Sequence, residues 1–196
     1  SYTGTTTVNS GSIFVNGYLA GGMVIASGGT LGGSGTIEGS TTVQNGALLS
    51  PGNSTGLLTF NNDLSLAGAT LMEIDGTVRG TEYDAIDVGG TLSFGGSLEL
   101  AVSTLYDPGT YTFELFNADT IGAGNFSSIV LTSPYTASFT YDDADAWIFV
   151  GENNDTWTFN LTSGDLSLHV VPEPGLFGLV AGLLAIGVTL RLRRRV

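Results

Sequence analysis

Ser27 to Phe60 reads SGGTLGGSGTIEGSTTVQNGALLSPGNSTGLLTF. In it and in the residues before it, three columns recur. Val8, Ile25 and Val43 lie 17 and 18 residues apart; Gly11, Gly28 and Gly46 lie 17 and 18 apart; Ile13, Leu31 and Leu48 lie 18 and 17 apart. Each unit runs as an apolar residue, two small polar residues, Gly, one or two small residues, then an apolar residue. A later copy reads Gly68, Thr70 and Leu71, after an insertion carrying Ser50, Pro51, Gly52, Asn53 and Ser54, and Gly90, Thr91 and Leu92 read as another. A unit this short cannot hold a helical pair and suits one coil of a β-solenoid. Two or three short strands with glycine corners would make each coil, and coils would stack about 4.8 Å apart through backbone bonds to the neighbours above and below. β-Branched residues favour strands, and glycine permits the positive φ of a sharp corner. Alternations such as Ser12-Ile13-Phe14-Val15 and Thr41-Thr42-Val43-Gln44 put aliphatic residues inward and Ser, Thr and Asn outward. The alternative is an antiparallel sandwich with Gly-rich turns; the regular spacing favours the solenoid.

The order GGTLGGSGTI, a valine strand, LSPGNS and then an apolar strand resembles the passenger-associated repeat of autotransporters and related surface proteins. Within a repeat region taken as 1–75, the resemblance covers roughly residues 5–75, weakens towards 100, and implies a right-handed parallel β-helix outside a cell. Autotransporters end in a membrane β-barrel; this chain ends differently, so self-transport is not implied.

Residues 76–170 carry longer strands and more aromatics. The expected strands are Thr91 to Phe94, Ser97 to Val102, Thr110 to Phe116, Ile129 to Leu131, Ala137 to Tyr141, Trp147 to Val150, Thr156 to Leu161 and Leu166 to Val170, parted by turns such as Asp107-Pro108-Gly109 and Ser163-Gly164-Asp165. A solenoid needs its open end hidden from edge-to-edge pairing, so this half reads as irregular further coils plus a cap. Phe113, Phe116, Phe126, Phe139, Trp147, Phe149, Trp157 and Phe159 would fill its wider core. An exposed aromatic row could instead stack on sugars; buried aromatics are the commoner case.

The last 26 residues, VPEPGLFGLVAGLLAIGVTLRLRRRV, are of a different kind. Val171, Pro172, Glu173 and Pro174 make a stiff hinge, residues 175–190 are uncharged, and Arg191, Arg193, Arg194 and Arg195 follow. Sixteen residues at a rise of about 1.5 Å span roughly 24 Å against a hydrocarbon core of roughly 30 Å; Leu192 and snorkelling arginines supply the rest. A single transmembrane α-helix over 175–190 is expected, with the arginines marking the cytoplasmic edge and residues 1–170 outside. A buried core helix would not be apolar on every face and end in four arginines. Gly178 and Gly182 form a GxxxG pair, a spacing that lets membrane helices approach, though small residues are common in such tails. The hinge, the apolar span and the basic end resemble the PEP-CTERM sorting signal of Gram-negative and related bacteria. That resemblance implies export, recognition by a membrane-embedded exosortase, removal of the tail, release or attachment at the cell surface, and association with exopolysaccharide and biofilm.

Charge divides along the same line. Residues 1–171 hold seventeen acidic residues and one basic residue, Arg79, a net of −16; residues 172–196 hold Glu173 and four arginines, a net of +3. An exterior this acidic repels nucleic acid and anionic membrane and favours divalent cations. Cysteine is absent, which removes disulfides, thiolate nucleophiles and cysteine-bound metals. The chain begins at Ser1 with strand-like sequence; an exported protein needs a signal, so one removed earlier or a fragment start is expected.

Few residues offer chemistry. His169 is the one histidine, and no GxSxG elbow precedes it, so it reads as a strand-end residue. Glu73 with Asp75, and Glu82, Asp84 and Asp87, could supply an acid and a base for glycoside cleavage, but such pairs arise readily in an acidic surface. Asp142, Asp143 and Asp145 form the densest acidic cluster, with Glu152 and Asp155 nearby; the spacing fits neither an EF-hand nor the calcium-binding β-helix repeat, and a solvated loop competes with a Ca²⁺ site. Asn53, Asn125, Asn154 and Asn160 sit in N-x-S/T triplets, which occur by chance in a chain this rich in Asn, Ser and Thr. The expectation is therefore an exported all-β surface or matrix protein, structural or adhesive, without a catalytic residue or cofactor. A β-helical polysaccharide-degrading enzyme and a permanently membrane-anchored protein are the alternatives.

Overall fold

The computed structural model describes residues 4, 6–20, 24–26, 28–133, 136–151 and 153–172. The chain is all-β over them, and no helix among them is long and apolar enough to cross a membrane. The helix expected over 175–190, with Glu173, Pro174, Arg191, Arg193, Arg194 and Arg195, lies outside the described residues.

Residues 6–102, with 116–121 and 128–133, build three columns of parallel strands. In the first, β1 (Thr6–Val8), β4 (Val24–Ala26), β7 (Thr41–Val43) and β10 (Leu64–Leu66) pair in that order, and the end of β12 (Ala85–Ser93) continues it. The second runs β2 (Ser12–Phe14), β5 (Thr30–Gly33), β8 (Leu48–Pro51), β11 (Ala69–Ile74), β13 (Ser97–Val102) and β16 (Ser128–Ser133). The third runs β3 (Tyr18–Leu19), β6 (Thr36–Ile37), β9 (Leu57–Phe60), the start of β12 and β15 (Phe116–Ile121). The parallel pairing excludes the antiparallel sandwich for this part of the chain.

Glycine makes the corners as expected: Gly11, Gly28 and Gly46 all have positive φ, at 77°, 72° and 83°. The apolar columns are slipped by one residue in places. Val8 pairs with Ala26, which pairs with Val43, so Ala26 rather than Ile25 holds that position. Ile13 pairs with Leu31, which pairs with Leu49, so the buried leucine is Leu49 and Leu48 stands beside it, half-buried. Adjacent side chains of a strand face opposite ways, so neighbouring apolar residues leave the choice to the ladder. The copy at Gly90-Thr91-Leu92 is also reassigned, because Leu92 pairs with Leu64 in the first column while Leu98 continues the second.

That second column reads Ile13, Leu31, Leu49, Thr70, Leu98, Ile129, with steps growing from 18 residues to 31. Thr70, not Leu71, takes the inward place. It is fully buried, and its hydroxyl finds no partner among the described residues. An unpaired buried hydroxyl costs about 1–3 kcal/mol. Thr70→Val keeps the shape and the strand preference, and is expected to raise stability by about 1 kcal/mol, read as a higher urea midpoint with an unchanged slope; a lower midpoint would show that Thr70 Oγ1 is satisfied in solution.

The remaining strands form an antiparallel sheet in the order β14 (Gly109–Glu114), β21 (Asp165–Val170), β20 (Thr156–Asn160), β19 (Ala146–Val150) and β18 (Thr140–Tyr141), while β17 (Ala137–Ser138) adds to β16. The expected strand Thr110 to Phe116 is thus two strands in different sheets, parted at buried Leu115. The aromatics interlock across the join. Phe159 of β20 meets Phe94, Phe116 and Phe126 at ring centroids 5.8, 6.1 and 5.7 Å apart, mostly edge to face. Seven of the eight aromatics expected in the core are buried, and Phe149 is half-buried.

Candidate functional site

The loop between β11 and β12, residues 75–84, carries Asp75, Glu82 and Asp84, with Glu73 and Asp87 on the flanking strands, and most of these carboxylates serve as internal acceptors. Asp84 is fully buried. Its Oδ1 accepts the Gly56 N–H at 2.8 Å and its Oδ2 accepts the Glu73 N–H at 2.8 Å, so one side chain joins β11 to the chain entering β9. Burial pushes its carboxyl up to about 7; the two N–H bonds act against this, and the charges of Glu73 and Asp75 add to it. Glu82 Oε2 accepts the Thr77 N–H at 2.8 Å and the Val78 N–H at 3.1 Å, closing the loop on itself. Asp75 accepts the hydroxyl of Ser103 through its side chain and that of Thr104 through its carbonyl. Arg79 Nη2 lies 2.8 Å from Asp87 Oδ1, and its Nε lies 3.0 Å from Glu114 Oε2 and donates to the Glu114 carbonyl. Four of the five carboxylates therefore tie backbone, hydroxyl or guanidinium groups together, and Arg79, the one basic residue before the tail, is paired with two of the protein's own acids.

The acidic cluster that sequence offers as a weak calcium candidate is a turn. Asp142, Asp143 and Asp145 form the turn between β18 and β19. Asp142 Oδ1 accepts the Ala144 and Ala146 N–H groups at 3.0 and 3.3 Å, and Asp143 and Asp145 have φ of 62° and 58°. Among the described residues no group of three or more His, Cys, Asp or Glu is placed to hold a metal ion. His169 sits exposed on β21 with Nδ1 3.1 Å from Thr110 Oγ1 on the neighbouring strand, a cross-strand pair. Two of the N-x-S/T asparagines are structural: Asn125 Oδ1 accepts the Trp147 indole N–H at 2.7 Å, and Asn160 Oδ1 accepts the Thr162 N–H at 2.8 Å within the following turn.

Sequence reasoning missed a groove of about 730 Å³ where the end of the second column meets the antiparallel sheet. Val102, Leu131, Phe149, Trp157 and Leu168 line its depth, and Leu105, Val150 and Val170 line its rim. Tyr106 forms one side, its hydroxyl donating to the Gly76 carbonyl at 3.1 Å, and burial pushes that hydroxyl up to about 12. Of the sorting residues, Val171 and Pro172 are described, and they leave from this rim: the Val171 N–H donates to Asp155 Oδ1 at 2.8 Å. The signal that could have located the groove is weak, one leucine, Leu105, in an otherwise polar connection. Compared with known protein families, curated proteins and solved structures, the chain matches none.

Proposed function

We propose that this chain is an exported, non-enzymatic protein of the cell surface or extracellular matrix: a right-handed parallel β-helix, closed by an antiparallel cap and delivered by a C-terminal signal of the PEP-CTERM kind. One observation supports the reading most. Strands about 18 residues apart stack in register through three columns, and the chain leaves the cap at Val171, directly ahead of the hinge, apolar span and basic end. In this reading the stacked ladder makes a stiff rod. Its outer face carries polar rungs such as Glu38, whose Oε2 accepts the Tyr18 hydroxyl at 3.0 Å and the Asn61 amide at 2.7 Å, joining three successive coils. Such a surface suits a polysaccharide or matrix partner and disfavours nucleic acid. The tail passes to an exosortase-type protease after holding the rod at the cytoplasmic membrane.

The glycan-cleaving alternative has one observation in its favour, the raised Asp84 carboxyl. Its oxygens face the Gly56 and Glu73 N–H groups inside the fold, where no glycan oxygen reaches, so the structural reading is preferred.

The test is intact mass and C-terminal peptide mapping of the protein from its native host, by cell fraction. The expected chain ends between Val171 and Pro174 and is found outside the cytoplasmic membrane. A full-length chain ending in RLRRRV in the inner membrane would replace this reading with that of a permanently anchored protein.

A further inference from the structure

Leu105 is 89% exposed and Val150 54% exposed, and both stand on the rim of the apolar groove from which the chain leaves. Leu105 is the most exposed of the large hydrophobic residues described, in a connection that buries its neighbours on either side more deeply. The exit point is fixed, because Val170 lines the same groove and Val171 is held by Asp155. From there residues 171–174 reach at most about 14 Å when fully extended. The sixteen-residue uncharged span begins at Gly175. If that span crosses a bilayer, as the proposed function holds and as this inference requires, so short a hinge leaves the groove rim at the lipid surface.

We propose that this rim is a membrane-seating face, with Leu105 and Val150 entering the interfacial region of the bilayer while the tail is attached. The face presents apolar side chains where the tether forces contact, and its flanking charges, Asp107 and Asp155, are acidic. Acidic flanks favour lipids with neutral headgroups over anionic ones. Seating orients the coils away from the membrane: the first coil, with Phe14 on β2, lies at the far end of the second column from β16. It also holds the hinge beside the lipid surface, where a membrane-embedded protease would meet it.

The chain has no cysteine, so single labels are clean. Full-length Leu105→Cys, Val150→Cys, Phe14→Cys and Leu184→Cys variants, each carrying an environment-sensitive dye, are placed in phosphatidylcholine vesicles containing nitroxide-labelled lipid. Dyes at 105 and 150 are expected to be quenched several-fold more than the dye at 14, with the dye at 184 quenched as well. Quenching at 184 with none at 105 and 150 overturns the seating face and leaves the sorting reading standing. A blue-shifted but unquenched dye at 105 or 150 also overturns it, since the tail or a second copy then covers the rim. An unquenched dye at 184 overturns the membrane span and the seating face with it.

Discussion

A single methyl group at residue 96 is expected to lower the stability of the folded protein by about 3–5 kcal/mol. Gly96 turns the chain from the first column into β13 with φ of 63°, and a Cβ built there lies 1.8 Å from the Gly68 carbonyl oxygen of the coil below. Two costs add. A left-handed conformation at a non-glycine residue costs about 1–3 kcal/mol. Pushing backbone apart in a packed stack costs about 1–3 kcal/mol more, because the obstacle is a carbonyl and not the end of a flexible side chain. The Gly68 carbonyl also accepts the Ser97 N–H at 3.1 Å, so moving it weakens the rung that starts the next strand pair. Gly17→Ala is the control: its Cβ has nothing within 4 Å and its φ is not positive. That variant is expected to stay within about 0.5 kcal/mol of the parent. Urea unfolding followed by far-UV circular dichroism compares the two, and equal midpoints would mean that the coils at Gly68 and Gly96 are not packed one on the other.

The same glycines show how much of the fold was legible. Gly11, Gly28 and Gly46 announce three corners from sequence because only the corner needs positive φ, and the spacing between corners sets the coil. What slips is the assignment between corners. Leu48 and Leu49 offer two apolar neighbours, and pairing decides which one faces in; for Ile25 and Ala26 the register decides which one holds the column. Thr70 was illegible for the opposite reason: a polar residue occupies a core position held by its neighbours' ladder rather than by its own chemistry. In the later coils the steps lengthen, so periodicity fades, and the aromatic residues indicate a wider core without indicating that it is an antiparallel sheet. The candidate site was legible only as a list of acids. Which carboxylate is buried depends on the partners that the fold brings to it, and Asp84 reads in sequence like Asp87, which is half-buried and paired with Arg79.

Asp84 carries the second large expectation, in two parts that separate its hydrogen bonds from its charge. Asp84→Ala leaves the Gly56 and Glu73 N–H groups buried without an acceptor, each at about 1–3 kcal/mol, so a loss of about 3–5 kcal/mol is expected at neutral pH. The charge acts in the other direction. Burial raises the folded-state pKa from the ordinary 3.8 to about 7, so between those values the folded protein holds a proton that the unfolded chain has released. A proton bound more tightly by the folded state stabilises it at low pH, and that stabilisation is lost as pH rises through the folded-state value. The contribution is complete below about pH 4 and gone above about pH 7, and at 1.36 kcal/mol per pH unit it amounts to at most about 4 kcal/mol. Self-repulsion among the other acids also weakens the fold as pH rises, so the wild-type profile alone does not isolate Asp84. Asp84→Asn does: it keeps one acceptor, cannot ionise, and is expected to flatten the profile between pH 4 and 7 relative to wild type. Parallel wild-type and Asp84→Asn profiles of urea midpoint against pH would mean that the two N–H bonds outweigh burial and that Asp84 is a permanently charged clamp. In either case the side chain ties β11 to the chain entering β9, and only where its pKa is raised does the fold become firmer as pH falls from about 7 to about 4.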